Sequence, residues 1–196
     1  MIARHLRALA CAAVLLGLSA CTTVTLAPAG AYSVGTHTLT LGRAWSDISI
    51  IIYGRPKSVR LLSIDGPLLN RLYIADGLTN GQFIVKPVKK ERPTPTWKTG
   101  MSPNEQMEFV ADSVAALDYQ RVETSDLRPA KVSGSDGLRF NLSAKTAEGL
   151  DISGIAQVVE ADGKLFLILY LAPTEHYYAA HRAEVESIMS SARAGA

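Results

Sequence analysis

The chain has 196 residues, of which 47% are hydrophobic, 19% charged and 7% aromatic, with a formal net charge of +2. That apolar fraction is too high for a disordered chain, and the charge is too low and too balanced for a nucleic-acid-binding tail. Fifteen glycines without a short period, and no sustained heptad, exclude collagen-like and coiled-coil forms.

The first twenty residues read as an address. Arg4, His5 and Arg7 make a basic start, and Leu9 to Leu18 is an apolar run without charge. Roughly 10 to 14 apolar residues are too few for a helix crossing ~30 Å of hydrocarbon, and they suit the core of a secretory signal peptide. The run stops at Leu18-Ser19-Ala20-Cys21. A branched aliphatic residue, two small residues and a cysteine in that position resemble the lipobox of bacterial lipoproteins. The resemblance implies a signal peptide over 1–20 and cleavage before Cys21. It also implies a thioether-linked diacylglycerol on the Cys21 sulfur and an acyl chain such as palmitate on the new amine. Competing readings of the same residues are ordinary secretion with cleavage near Ala20 or further on, and an uncleaved anchor. Residue 22 is Thr. In Gram-negative lipoproteins an Asp there goes with retention in the inner membrane, so the resemblance implies an outer-membrane lipoprotein facing the periplasm.

Losing the signal peptide changes the chemistry available. On the lipobox reading Cys11 would leave with it and Cys21 would be acylated, so the mature domain would hold no free thiol. Thiol catalysis, cysteine-ligated zinc and iron–sulfur clusters are thereby excluded. Arg4 and Arg7 also leave, and 18 basic residues then balance 18 acidic ones. No electrostatic case for nucleic acid survives.

Residues 21–36 are small and polar and read as a lipidated tether, followed by a single globular domain over 37–196. Strands are expected at 38–41, 48–53, 59–64 and 68–75, the last two closed by turns at Asp65-Gly66-Pro67 and Asp76-Gly77. The stretch 86–103 changes character. Lys86, Lys89, Lys90, Arg92 and Lys98 stand against Glu91 alone, and four prolines prevent a regular element. This is a long exposed basic loop, and Trp97 lies within it. Ser102-Pro103-Asn104-Glu105 is a capping box with proline at the first helical position. With Met107, Val110, Val114 and Leu117 at helical spacing, it predicts a helix over about 103–118.

Strands return from 120 to 172, with turns at Glu148-Gly149 and Asp162-Gly163. Leu138, Phe140 and Leu142 alternate with polar residues, whereas Leu165 to Leu171 is apolar throughout. The second pattern predicts a central strand covered on both faces. Pro173 and Thr174 then open a helix to about Arg193, with Tyr178, His181, Val185, Ile188 and Ala192 on one stripe.

The closing segment carries a second likeness. An all-apolar strand Leu165 to Leu171, then Ala172-Pro173, then Tyr177-Tyr178, then a helix ending at Ile188-Met189-Ser190-Ser191-Ala192-Arg193 resembles the end of the Mog1/PsbP-like fold. The resemblance implies an α+β domain in which an antiparallel sheet is covered by helices, an α/β/α sandwich. The family is functionally mixed, spanning adaptor binding to a small GTPase and a photosystem accessory role. No functional residue of either maps onto this chain.

No reactive constellation stands out. His176 and His181 are five apart, missing the spacing of a helical metal pair, and His37 opens a strand without a visible partner. Gly134-Ser135-Asp136-Gly137 departs from the nucleophile elbow and reads as a hairpin turn. Asp65, Asp76, Asp136, Asp151 and Asp162 each lie near a turn or strand end, where turn chemistry explains them. Phosphate-binding loops are absent, and no cofactor or metal is implied. The best functional hint is the basic loop. Lys86, Lys89, Lys90, Arg92 and Trp97 form a candidate contact surface for a protein or for anionic lipid. The leading expectation is a non-catalytic envelope lipoprotein with a periplasmic partner. The alternative is a periplasmic hydrolase whose site, at the sheet edge, joins a carboxylate or His37 to a hydroxyl in a concave pocket. A carrier of an apolar ligand would need an internal cavity, against which seven consecutive large apolar residues argue.

Overall fold

Ten residues, Lys164–Pro173, set the centre of the fold. In the computed structural model, which describes residues 24–52 and 54–195, Leu165 to Leu171 are each at most 3% exposed. Cys11, Cys21 and the whole signal peptide lie outside the described residues. The strands in chain order are β1 (Thr25–Ala27), β2 (Gly30–Val34), β3 (His37–Leu41), β4 (Trp45–Asp47), β5 (Val59–Ser63) and β6 (Arg71–Leu78). They continue with β7 (Gln120–Val132), β8 (Ser135–Lys145), β9 (Asp151–Ala161), β10 (Lys164–Pro173) and β11 (Arg193–Ala194). Eight form one antiparallel sheet in the order β1-β4-β5-β6-β10-β9-β8-β7, and β11-β3-β2 form a small second sheet.

Period-two alternation sorts the side chains into two core layers. One holds Leu61, Tyr73, Ala75, Leu167 and Leu169 under helix α1 (Pro103–Ala116) and residues Ile84, Val85 and Trp97 of the proline-rich segment. The other holds Leu62, Leu72, Ile74, Ile168 and Tyr170 under helix α2 (Ala179–Ser191) and the small sheet, through Val34, Leu39 and Leu41. Each layer has one helix, and the rest of its cover is loop or sheet. Among the described residues no helix is long and apolar enough to cross a membrane.

The capping box at Ser102 forms as its sequence predicts: the Glu105 amide donates to the Ser102 hydroxyl and the Ser102 amide to the Glu105 carboxylate. Other expectations are corrected. Residues 25–34, read as tether, make β1 and β2; Ala27 and Val34 are buried, and small residues suit close strand packing as well as a linker. The strand expected at 48–53 is instead a single 3-10 turn over Ser49–Ile51. There the Asp47 carboxylate takes the Ser49 amide at 2.9 Å, and the Ser49 hydroxyl takes the Leu61 amide at 2.8 Å. Side-chain oxygens thus replace ladder partners. The turn expected at Asp76-Gly77 is a bulge, and β6 runs on to Leu78. Gly77, at φ +74, is the extra residue, so Ala75 and Leu78 reach the same core layer although three positions apart. The second helix becomes regular only at Ala179, after a wide turn over Thr174–Tyr178 in which His176 has φ +69.

Candidate binding groove

The proline-rich segment is irregular but pinned. The Trp97 amide donates to the Gln82 carbonyl at 2.7 Å, and the Gly81 amide to the Trp97 carbonyl at 2.8 Å. The Val88 amide donates to the Ala116 carbonyl at 2.9 Å, at the end of α1. Trp97 is fully buried and lies edge-on to Phe109, with ring centroids 5.7 Å apart. It is therefore part of the core, and its place in the expected contact surface is corrected: an indole without exposed area has nothing to offer a partner.

The four cations divide in two. Lys89 pairs with Asp118 at 2.7 Å, and Arg92 approaches the same carboxylate at 3.9 Å while donating to the Ala115 carbonyl at 2.9 Å. Both thus sit on the negative end of the α1 dipole. The hydrogen bond from Lys89 holds the Asp118 carboxyl below its ordinary range. Lys86 and Lys90 line a surface groove of about 480 Å³. Leu61, Tyr73 and Val85 are its buried residues, and Ile51, Ile52, Pro87, Val88, Leu117 and Arg71 complete it. Lys86 lies over the Phe83 ring at 5.5 Å. Burial pushes the Tyr73 hydroxyl up to about 12, so it stays neutral at physiological pH. Ile51 and Val88, 54% and 65% exposed, leave apolar surface in water beside these cations. The exposed apolar residues give no compositional signal of their own; only the fold groups them.

A second cleft, of about 380 Å³, lies at the other end of β6. The Asp76 carboxylate, 5% exposed, accepts from the Thr36 amide, from the Thr36 hydroxyl at 3.0 Å and from the His37 amide at 3.0 Å. Its other oxygen faces His37 Nδ1 at 3.0 Å. A carboxylate only accepts, so it is Nδ1 that donates in this bond. The His37 ring stacks on Phe166 at 4.1 Å. Gly35 has φ +58, and a Cβ there would collide with the Asp76 carboxylate, so the β2–β3 turn requires glycine twice over. Ser133, Ser135, Asp162 and Lys164 also line this cleft.

The convergence that a hydrolase needs is therefore present, but its wiring differs from a catalytic triad. There the carboxylate and the nucleophile hydroxyl flank opposite ring nitrogens. Here Thr36 lies 3.4 Å from the same Nδ1 that faces Asp76, and its hydroxyl already donates to Asp76. The Ser133 hydroxyl accepts from the Ala194 amide. One signal for Asp76 was available, since it is an acid inside the otherwise apolar run Leu72 to Leu78.

The other candidates are dispersed. His181, 8% exposed, meets Asp65 at 2.8 Å, and Asp65 also accepts from Asn70 at 2.6 Å. His176 is exposed against Tyr177. Asp136 pairs with Lys131, and Asp151 with Lys145. Ser133 and Gly134, both at positive φ, form the two-residue turn between β7 and β8, just before Ser135 and Asp136. Among the described residues no group of three or more His, Cys, Asp or Glu is placed to hold a metal ion.

Comparison with solved structures establishes a Mog1/PsbP-like fold. The solution structure of cyanobacterial PsbP from Synechocystis sp. PCC 6803 is similar with a TM-score of 0.57 at 11% identity, covering 91% of this chain and 99% of that one. The Ran-binding protein Mog1p of Saccharomyces cerevisiae gives 0.50 at 8% identity, covering 87% and 94%. At these identities the likeness concerns the fold alone. No protein-family model matches the chain, and no curated protein matches it.

Proposed function

We propose that this chain is a membrane-anchored envelope lipoprotein, acylated at Cys21 and carried on the outer membrane facing the periplasm. Its domain is a non-catalytic binding module. The observation that carries the binding role is the groove. Ile51 and Val88 stay in water beside Lys86 and Lys90, an arrangement that suits an apolar, anionic partner. Support for the anchor comes from Leu18-Ser19-Ala20-Cys21 at the end of a short apolar run. A Cys21→Ser chain is expected to stay unprocessed or to shed its domain as soluble protein. The mass of the mature N-terminal peptide decides: an unmodified peptide that begins elsewhere overturns the anchor.

A second reading, a periplasmic hydrolase, is favoured by one observation, the meeting of His37, Asp76 and hydroxyls in one cleft. It predicts ester turnover by the purified chain that vanishes in His37→Ala. Absence of turnover, or turnover that His37→Ala leaves intact, removes it.

A further inference from the structure

We infer that the groove is the face on which this domain lies against its own membrane, with anionic phospholipid headgroups as the ligand of Lys86 and Lys90. This rests on the anchor proposed at Cys21, and the geometry adds where that anchor meets the fold. Cys21 is four positions before Thr25, the first residue of β1. An extended chain spans at most ~3.6 Å per residue, so Cys21 lies within about 14 Å of that strand whatever its conformation. An acylated residue so close to a folded edge holds the domain against the bilayer, and one edge of the domain faces it.

The register identifies that edge. β1 is the outermost strand of the large sheet, and Thr25 stands opposite Asp47. Two residues after Asp47 begins the turn Ser49–Ile51, whose Ile50 and Ile51 are 59% and 54% exposed, and Ile51 lines the groove. Within β1, Ala27 is buried in the α2 layer, so by alternation Leu26, 70% exposed, points to the groove side. The apolar surface continues beyond the groove. A neighbouring depression shares Arg71 and Leu117 with it and is lined by Leu68 and Leu150, 81% and 48% exposed. The edge strand that follows the anchor, the exposed aliphatics and the cations thus share one side of the molecule, as a bilayer interface with anionic headgroups requires. Acids also lie on this side: Asp118, which is paired with Lys89, Glu148 in the depression, and Asp47 at the edge opposite Thr25, bonded to the Tyr32 hydroxyl.

The experiment uses the full mature chain, acylated, in vesicles of phosphatidylcholine with or without phosphatidylglycerol. Val88→Cys, Leu68→Cys and Asp136→Cys each carry a fluorophore, and lipids bearing a quencher report proximity. Asp136 serves as reference because it lies at the opposite end of β8. Expected is several-fold stronger quenching at positions 88 and 68 than at 136. That difference should grow with phosphatidylglycerol and shrink at high salt and in Lys86→Glu/Lys90→Glu. Equal quenching at all three positions on an acylated chain overturns the docking face and leaves the anchor standing. Shielding of position 88 by a bound protein without lipid quenching also overturns it. An unmodified Cys21 in the same preparation overturns the anchor and this inference with it.

Discussion

The two ends of β6 make opposite use of polar chemistry. At the Leu78 end, a buried carboxylate takes up the donors of Thr36 and His37 and ties the small sheet to the large one. There the Thr36, His37 and Asp76 groups are partners to one another. At the Arg71 end, the groove keeps aliphatic side chains in water and sets lysines beside them. Buried polar groups satisfied internally contribute to stability and specificity of packing, whereas grouped exposed apolar surface does neither and marks a contact site.

The largest test bears on what holds the groove in place. Trp97→Ala should lower stability by about 3–5 kcal/mol in urea denaturation, the range for emptying a large buried aromatic site. A change under about 1 kcal/mol would show that the segment behind the groove is not core. Next is the tie. Asp76→Ala leaves the Thr36 and His37 amides without their acceptor, and a loss of about 1–3 kcal/mol is expected. Vesicle binding should survive it, and a variant that keeps its stability but loses binding would reverse the roles assigned to the two ends. Lys86→Gln with Lys90→Gln should do the converse. Stability should change by less than about 1 kcal/mol, while salt-sensitive binding to anionic vesicles falls.

The smallest effect concerns pH. Asp118 ordinarily titrates near 3.8 and is held lower, chiefly by the hydrogen bond from Lys89. A carboxyl lowered by folding contributes its stabilisation above the unfolded value and loses it as pH falls through the folded value. Protection of the Val88 amide against hydrogen exchange, relative to an unstructured amide at the same pH, should therefore fall below about pH 3.8 and already at neutral pH in Asp118→Asn. Unchanged protection in both cases would show that the loop does not depend on this pairing.

Local patterns were legible where one residue type has one physical use. Seven consecutive apolar residues at 165–171 have few places to go except between two covered faces, and the structure buries all of them. Ser102 and Glu105 satisfy helix-end donors that any helix start exposes. Ambiguity entered where a residue type has two uses. Asp76-Gly77 serves as well for a bulge as for a turn, and small residues at 25–34 serve a strand as well as a linker. Trp97 looked exposed because its neighbours are lysines and prolines, yet the chain turns it inward beneath them. Of the candidate site, the charge run at 86–92 was visible; the groove was not, because Ile51, Tyr73 and Leu117 come from separate elements.

By itself the sequence determined the helix start at Ser102, the double-sided strand at 165–171 and the absence of a reactive thiol downstream of Cys21. These depend on spacing or on composition, which neighbours along the chain decide. Only the tertiary structure decided which lysines line the groove, that His37 meets Asp76, and that Thr25 of β1 stands opposite Asp47. Those relations join residues from separate elements, and the packing of those elements, not their neighbours along the chain, brings them together.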